Sequence, residues 1–170
     1  MQTAVARIVF VLLACSLFGG CGNTLRTTIA PEYQGRVTPI ERIGVGGAGA
    51  SNATQSFLEV GYQPVDVGIS PSDAVTVAAA RNLRFVAIAD ATDTSQAVWS
   101  GMFTFGMRVS EVSTGSVVWT GSATYGQGGV FISVQKSTQA AFSGLIRDFA
   151  KTFPPVGGIR NDPKTQSPAE

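Results

Sequence analysis

The chain has 170 residues, of which 44% are hydrophobic and 14% charged, with 20 glycines and no histidine. That is enough apolar material for one ordinary core and too little charge for a solvated, disordered chain; the missing histidine removes the commonest general base and metal ligand. Twelve basic against eleven acidic residues give no field to draw nucleic acid or anionic headgroups, so nucleic acid is not expected as a partner.

The first twenty residues read as a secretory leader. Arg7 and the amino terminus supply positive charge, and Ile8 to Phe18 is an eleven-residue apolar run, too short to cross a bilayer as a helix. The run ends in Leu17-Phe18-Gly19-Gly20-Cys21, which resembles the lipobox of bacterial lipoproteins, with cleavage before Cys21 and acyl chains such as palmitate carried on that residue. Cys15 leaves with the leader, so the mature chain keeps one cysteine, at its first position, and has no internal disulfide. One acyl chain binds membrane only marginally, at about 0.8 kcal/mol per buried methylene, and lipoprotein processing supplies more than one. Gly22 stands where enterobacterial lipoproteins retained at the inner membrane carry aspartate; the resemblance implies the outer membrane, periplasmic face.

Residues 21–38 are expected to be the lipidated start and a short tether, 39–155 a single domain, and 156–170 a disordered tail rich in proline, glycine and polar residues. Within the domain, Ile40 to Val45 is a short apolar strand, and a glycine-rich turn leads to a modest helix, Asn52 to Val60, closed by Gly61. Tyr62 to Val67 is a second strand, with Pro64 favouring a sheet edge. Ser70-Pro71-Ser72-Asp73 offers a hydroxyl cap, proline at the first helical position and an early acid, before the alanine-rich helix Ala74 to Leu83. Phe85 to Ala89 is continuously apolar, the mark of a strand covered on both faces. From Trp99 to Val109 apolar residues take the odd positions, Ser113 to Ser116 turns the chain, and Val117 to Tyr125 runs back as the second strand of a hairpin. Phe142, Leu145, Ile146, Phe149 and Phe153 form one stripe of a helix stopped by Pro154-Pro155. The order βαβαβββα predicts an α/β fold, a mixed sheet with helices packed against it.

The segments "RIGVGGAG", "GYQPVDVG", "AVTVAAARNLRFVAIAD", "FTFGMRVSEVSTGSVVWTGSATY" and "AFSGLIRDFAKTFPP" resemble, in that order, the domain shared by the curli-secretion channel lipoprotein (CsgG), the penicillin-binding-protein activator lipoprotein (LpoB) and the amino-terminal domain of TolB. The hairpin from Arg108 to Trp119 carries the sharpest likeness: a strand, an acidic residue, Thr-Gly, and a strand ending in tryptophan. The resemblance implies an envelope lipoprotein domain. Two departures bear on activity, since no segment is spare for the long membrane hairpins of the curli channel, and the tether is far shorter than the linker of the activator.

Gly44-Val45-Gly46-Gly47-Ala48-Gly49 matches G-x-G-x-x-G, with Asp66 seventeen residues beyond Gly49, as in dinucleotide sites where glycines admit a pyrophosphate and an acid holds the ribose. The preceding strand is very short and the following helix weak, so the expected role of Gly44, Gly46 and Gly49 is a turn, with no cofactor. Asp90 and Asp93 offer oxygen ligands for a hard cation if they share a loop, but acids in turns are usually turn formers, and no metal is expected. Ser133, Ser137 and Ser143 have no base in view. Trp99, Phe103, Phe105, Trp119 and Tyr125 are core candidates that become a partner-docking surface if the sheet is left uncovered.

The expected function is a non-enzymatic, lipid-anchored module of the cell envelope that binds other envelope proteins, in assembly, secretion or regulation of cell-wall synthesis, with a homo-oligomer as one form it can take. The alternative is a subunit of an oligomeric outer-membrane pore, in which the hairpin Trp99 to Tyr125 supplies membrane strands. Cys21→Ser is expected to move the mature protein from the membrane pellet to the soluble fraction on cell fractionation; retention in the pellet at the parental level overturns lipid anchoring.

Overall fold

The structure is a computed structural model that describes residues 24–93, 102–126 and 134–159. It contains strands β1 (Thr24–Ile29), β2 (Arg42–Gly46), β3 (Gln63–Asp66), β4 (Phe85–Asp93), β5 (Met102–Glu111) and β6 (Val117–Gly126), and helices α1 (Ala50–Val60), α2 (Pro71–Ala80) and α3 (Val134–Phe149). The strands form one mixed six-stranded sheet in the order β1-β6-β5-β4-β2-β3. β2 lies parallel to both β3 and β4, and β4, β5, β6 and β1 continue as an antiparallel run. The expected α/β class and the order βαβαβββα are both observed, with one strand added in front.

That added strand corrects the expected tether. Residues 24–29 pair along their length with β6, from Thr24 opposite Thr124 to Ile29 opposite Trp119. A short 3-10 turn, Pro31–Tyr33, follows, and the Thr38 and Ile40 amides donate to the Thr152 and Pro154 carbonyls at 2.8 and 2.9 Å. Residues 24–38 are therefore part of the domain and not a free tether. Sequence patterning did not reveal β1 because five of its six residues are exposed; backbone hydrogen bonds hold it, and they leave no hydrophobic period. At the other end Pro155 bridges to Ile40, and Ile159, four residues past the expected boundary, packs against the core.

Alternation sorts the sheet into two faces. Ile43, Val45, Phe85, Ala87, Ala89, Phe105, Met107, Val109, Trp119 and Ala123 are buried with α1 and α3 in the larger core. Val86 and Ile88 point the other way, into a smaller core with Ala74 and Ala78 of α2, Val67 and Leu83. β4 is thus covered on both faces, as its continuous apolar run predicts. The predicted stripe is fully buried, although the helix ends before Pro154-Pro155: Phe142, Leu145, Ile146 and Phe149 of α3, and Phe153 in the turns past its end, all have 0% exposure. It lies along β6 because Gly121 leaves room; a Cβ there would strike the Trp119 ring and the Leu145 side chain.

Local signals behave with one exception. Gly61 closes α1 in the left-handed conformation at φ 118°, and Gly115 turns the β5–β6 hairpin at φ 69°. Pro71 opens α2 as expected, but the Ser70 hydroxyl makes no capping bond; it lies 2.8 Å from the Ser72 hydroxyl instead.

Tyr62 fixes the joint between β3 and the end of α3. Its ring is 2% exposed and its hydroxyl donates to the Phe153 carbonyl at 2.6 Å. Burial raises its pKa well above the ordinary tyrosine value of 10.0, so the stabilisation it gives is complete below about pH 10 and is lost as the pH rises above that value. Tyr62→Phe is expected to lower unfolding free energy by about 1–2 kcal/mol at neutral pH, and to reduce the stability loss between neutral pH and pH 11, both read from urea melts.

Candidate functional site

Gly44 and Gly46 lie within β2, opposite Val86 and Ile88 of β4, and not in the expected turn, because backbone pairing holds them extended; Gly47 and Gly49 follow at the carboxyl end of β2, the position where doubly wound sheets hold ligands. Here the space is closed by the protein itself. The Gly47 amide donates to the Gly68 carbonyl at 3.2 Å and the Gly49 amide to the Ala89 carbonyl at 2.8 Å, so two N–H groups that a phosphate requires are bonded within the fold. A Cβ on Gly46 would lie 2.6 Å from the Gly68 carbonyl oxygen, and one on Gly49 2.7 Å from the Phe142 ring. Gly44 faces Val67, Leu83 and Val86 in the smaller core. The Asp66 carboxylate accepts the Gly68 amide at 2.8 Å and shapes the loop after β3. The motif is a packed joint between β2, β4 and α3, and its glycines allow neighbouring backbone and the Phe142 ring to come close.

Asp90 and Asp93 are not in a loop, which corrects the sequence expectation. β4 extends through both, with their backbones opposite Gly106 and Phe103 of β5. Pairing with β5 overrides the turn preference of the Asp-Ala-Thr-Asp segment. Among the described residues no group of three His, Cys, Asp or Glu side chains is placed to hold a metal ion.

The aromatic set divides. Cys21 and Trp99 lie outside the described residues, as does Ser133. Phe103 and Tyr125 are opposite each other in the β5–β6 register. Phe105 and Trp119 are 2% and 1% exposed, the first against Phe142 at a ring distance of 5.8 Å and the second against Phe149 at 5.6 Å. These two are core residues, the first of the two expected roles; the docking role expected of an uncovered sheet does not hold for them, because α3 covers the apolar face of the hairpin. Ser143 is turned to Ser56 of α1, with hydroxyl oxygens 3.3 Å apart, and Gln139 Nε2 donates to Ser56 Oγ at 3.0 Å. This polar seam joins two helices, and Gln139 Nε2 also reaches Glu59 Oε1 of α1 at 3.5 Å.

The opposite face of the hairpin is the accessible one. α2 packs on β2 and β4, and no helix among the described residues covers β5, β6 and β1 on that side. Alternation gives this face Thr104, Gly106 and Arg108 from β5, Thr120, Ser122 and Thr124 from β6, and Thr24, Arg26 and Thr28 from β1. Arg26 and Arg108 are exposed, and the Thr104 and Thr124 hydroxyls stand 3.4 Å apart. It is a surface rich in hydroxyl groups, with two guanidinium groups. The two-residue period that marks the aromatic positions of the hairpin also marks the polar ones between them. These polar positions also leave the described part of the hairpin without an apolar band for lipid.

No family model matches the chain, and no curated protein matches it. Among solved structures the chain resembles PelC from Paraburkholderia phytofirmans. A dodecamer of a single-substitution variant of that protein aligns at 18% identity with a TM-score of 0.56, over 74% of this chain and 96% of that one. A second PelC dodecamer aligns at 19% identity and a TM-score of 0.55, over 74% and 95%. A lipoprotein from Neisseria meningitidis, GNA1162, aligns at 13% identity and a TM-score of 0.44, over 66% and 99%. At these identities the likeness to PelC is one of fold.

Gly47 has φ 93° and its missing Cβ would be driven into the Ala89 carbonyl. Gly47→Ala is expected to lower stability by about 2–3 kcal/mol through backbone strain and overpacking, measured by chemical denaturation. Gly49→Ala, which meets a ring edge able to shift, is expected to cost less.

Proposed function

We propose that this protein is a non-enzymatic, lipid-anchored module of the bacterial envelope that works by binding other envelope proteins through the open β5–β6–β1 face. The observation that carries the reading is the uneven cover of the sheet: α1 and α3 cover the apolar face of β2, β4, β5 and β6, and α2 leaves three strands of the other face accessible. Hydroxyl groups and two arginines on an open sheet face make hydrogen bonds and charge-assisted contacts with a polar protein surface.

The lipobox-like segment before Cys21 supports the anchor, and β1 shortens the leash. With Thr24 already in the sheet, Gly22 and Asn23 alone separate it from Cys21, a reach of about 10 Å. A domain held that closely rests near the outer membrane, on its periplasmic side, and meets partners that work at the membrane surface. The shared fold of PelC, described as a dodecamer, supports self-association as part of this role. The likeness of the hairpin to the curli-channel and activator lipoproteins favours the same setting.

A photo-crosslinking amino acid at Ser122, in the middle of the open face, is expected to capture a second envelope protein in intact cells. Arg26→Glu with Arg108→Glu should cut that yield about tenfold, a loss of roughly 1.4 kcal/mol of binding. Recovery of this protein alone, with or without the arginines, overturns the reading.

A further inference from the structure

The two edges of the sheet are built differently. On β3 the Gln63 and Val67 amides point inward, to the Glu41 and Val45 carbonyls at 2.8 and 3.1 Å, so alternation turns Pro64 and Asp66 outward. Pro64 has no N–H to offer, and the Asp66 carbonyl already accepts Arg81 Nη1 at 2.5 Å. This edge is blunted. On β1 the Ala30 amide donates to the Val118 carbonyl at 2.9 Å, and the register continues through Thr28–Thr120 and Arg26–Ser122. The even positions therefore bond inward, and Leu25, Thr27 and Ile29 turn their N–H and C=O groups outward. Of these groups the Ile29 carbonyl accepts Gln34 Nε2 at 3.3 Å, and a carbonyl oxygen has a second lone pair. β1 has no proline, no register shift and a single charge, Arg26, and among the described residues no strand pairs with its outer side, so it carries few of the devices that usually protect an edge.

We propose that β1 pairs with β1 of a second copy, antiparallel across a two-fold axis centred on Thr27. The blunted β3 edge excludes the head-to-tail addition that would build an open filament, which leaves β1 on β1. This register is self-complementary. It sets Leu25 opposite Ile29 of the second copy and Thr27 opposite itself, so every outward position falls in a hydrogen-bonded pair. Leu25, 48% exposed in one copy, gains an apolar cross-strand neighbour, and Arg26 meets the neutral Thr28. The six-stranded sheet continues across the axis into that of the second copy.

An edge of six residues is a small interface, below the roughly 1,200 Å² of stable specific complexes. Pairing is therefore weak in dilute solution and effective where copies are concentrated. The envelope reading supplies that concentration, since β1 begins beside the anchor, and the proposal rests on that reading for nothing else.

Cysteine reporters read the register in intact cells, because Cys21 is the one cysteine outside the leader. With Thr27→Cys the paired Cα atoms stand about 5.5 Å apart, within disulfide reach. Oxidation with copper–phenanthroline is expected to give disulfide-linked dimer from Thr27→Cys, and from Leu25→Cys co-expressed with Ile29→Cys. The yield should exceed about tenfold that of Leu25→Cys alone, Gly115→Cys or the parent chain, as two thiols held face to face gain effective concentration. Thr27→Pro removes an N–H that points away from β6; it should keep the parental melting temperature and abolish the Leu25→Cys with Ile29→Cys link. Absence of the Thr27→Cys link, whichever cell fraction holds the protein, overturns the pairing, as does equal linking by Leu25→Cys alone. Linked dimer found in the soluble fraction supports the pairing and overturns the envelope reading, which keeps the two failures apart.

Discussion

The fold depends on the seating of one aromatic ring, Phe149 of α3, between helix, sheet and chain end. Its ring lies against Phe153 at 4.9 Å in a stacked arrangement and meets Phe57, Tyr62 and Trp119 edge-on or tilted at 6.2, 6.1 and 5.6 Å. One side chain thereby joins α1, the loop into β3, β6 and the segment after α3. Aromatic pairs of this kind add about 0.5–1.5 kcal/mol each beyond the burial of their area. The arrangement needs Gly121, since any side chain there displaces Trp119 from the position in which it meets Phe149. The Tyr62 hydroxyl then ties the same cluster to the Phe153 carbonyl, so a polar bond fixes the end of an otherwise apolar stripe.

This seating explains the uneven sheet. α1 and α3 share one face, joined by the apolar cluster and by the Ser56, Ser143 and Gln139 seam. α2 spans only the β2–β4 side of the other. β5, β6 and β1 keep a hydroxyl-rich face turned to solvent, with Thr and Ser at the positions where an inward-facing sheet would carry Val and Ile. Antiparallel strands tolerate this cover on one side, whereas the parallel strands β2 and β4 are buried on both. Accessible surface for a partner is thus concentrated where the antiparallel part of the sheet lies.

The glycine segment shows how a motif and its surroundings separate. Spacing and position agree with a dinucleotide loop, and the strand-to-helix passage at the end of β2 agrees as well. The amides of Gly47 and Gly49 nevertheless donate to Gly68 and Ala89, and Phe142 occupies the approach to Gly49. Residues far apart in the chain decide that, and glycine serves both outcomes for the same reason, close approach of backbone.

The sequence by itself determined the periodic elements: the β5–β6 hairpin from its two-residue alternation, the α3 stripe from its helical spacing, the double cover of β4 from its continuous apolar run, and the ends of α1 and α2 from Gly61 and Pro71. Each of these is a local pattern, set by which side chains leave water along one element. Only the tertiary structure decided that residues 24–29 form a strand, that Asp90 and Asp93 lie in one, and that Phe105 and Trp119 are covered and not available to a partner. Backbone pairing with a distant strand leaves no hydrophobic period at β1 and overrides turn preference at Asp90. Which side of the hairpin receives α3 is settled by packing around Gly121 and Phe149, which brings together residues far apart in the chain.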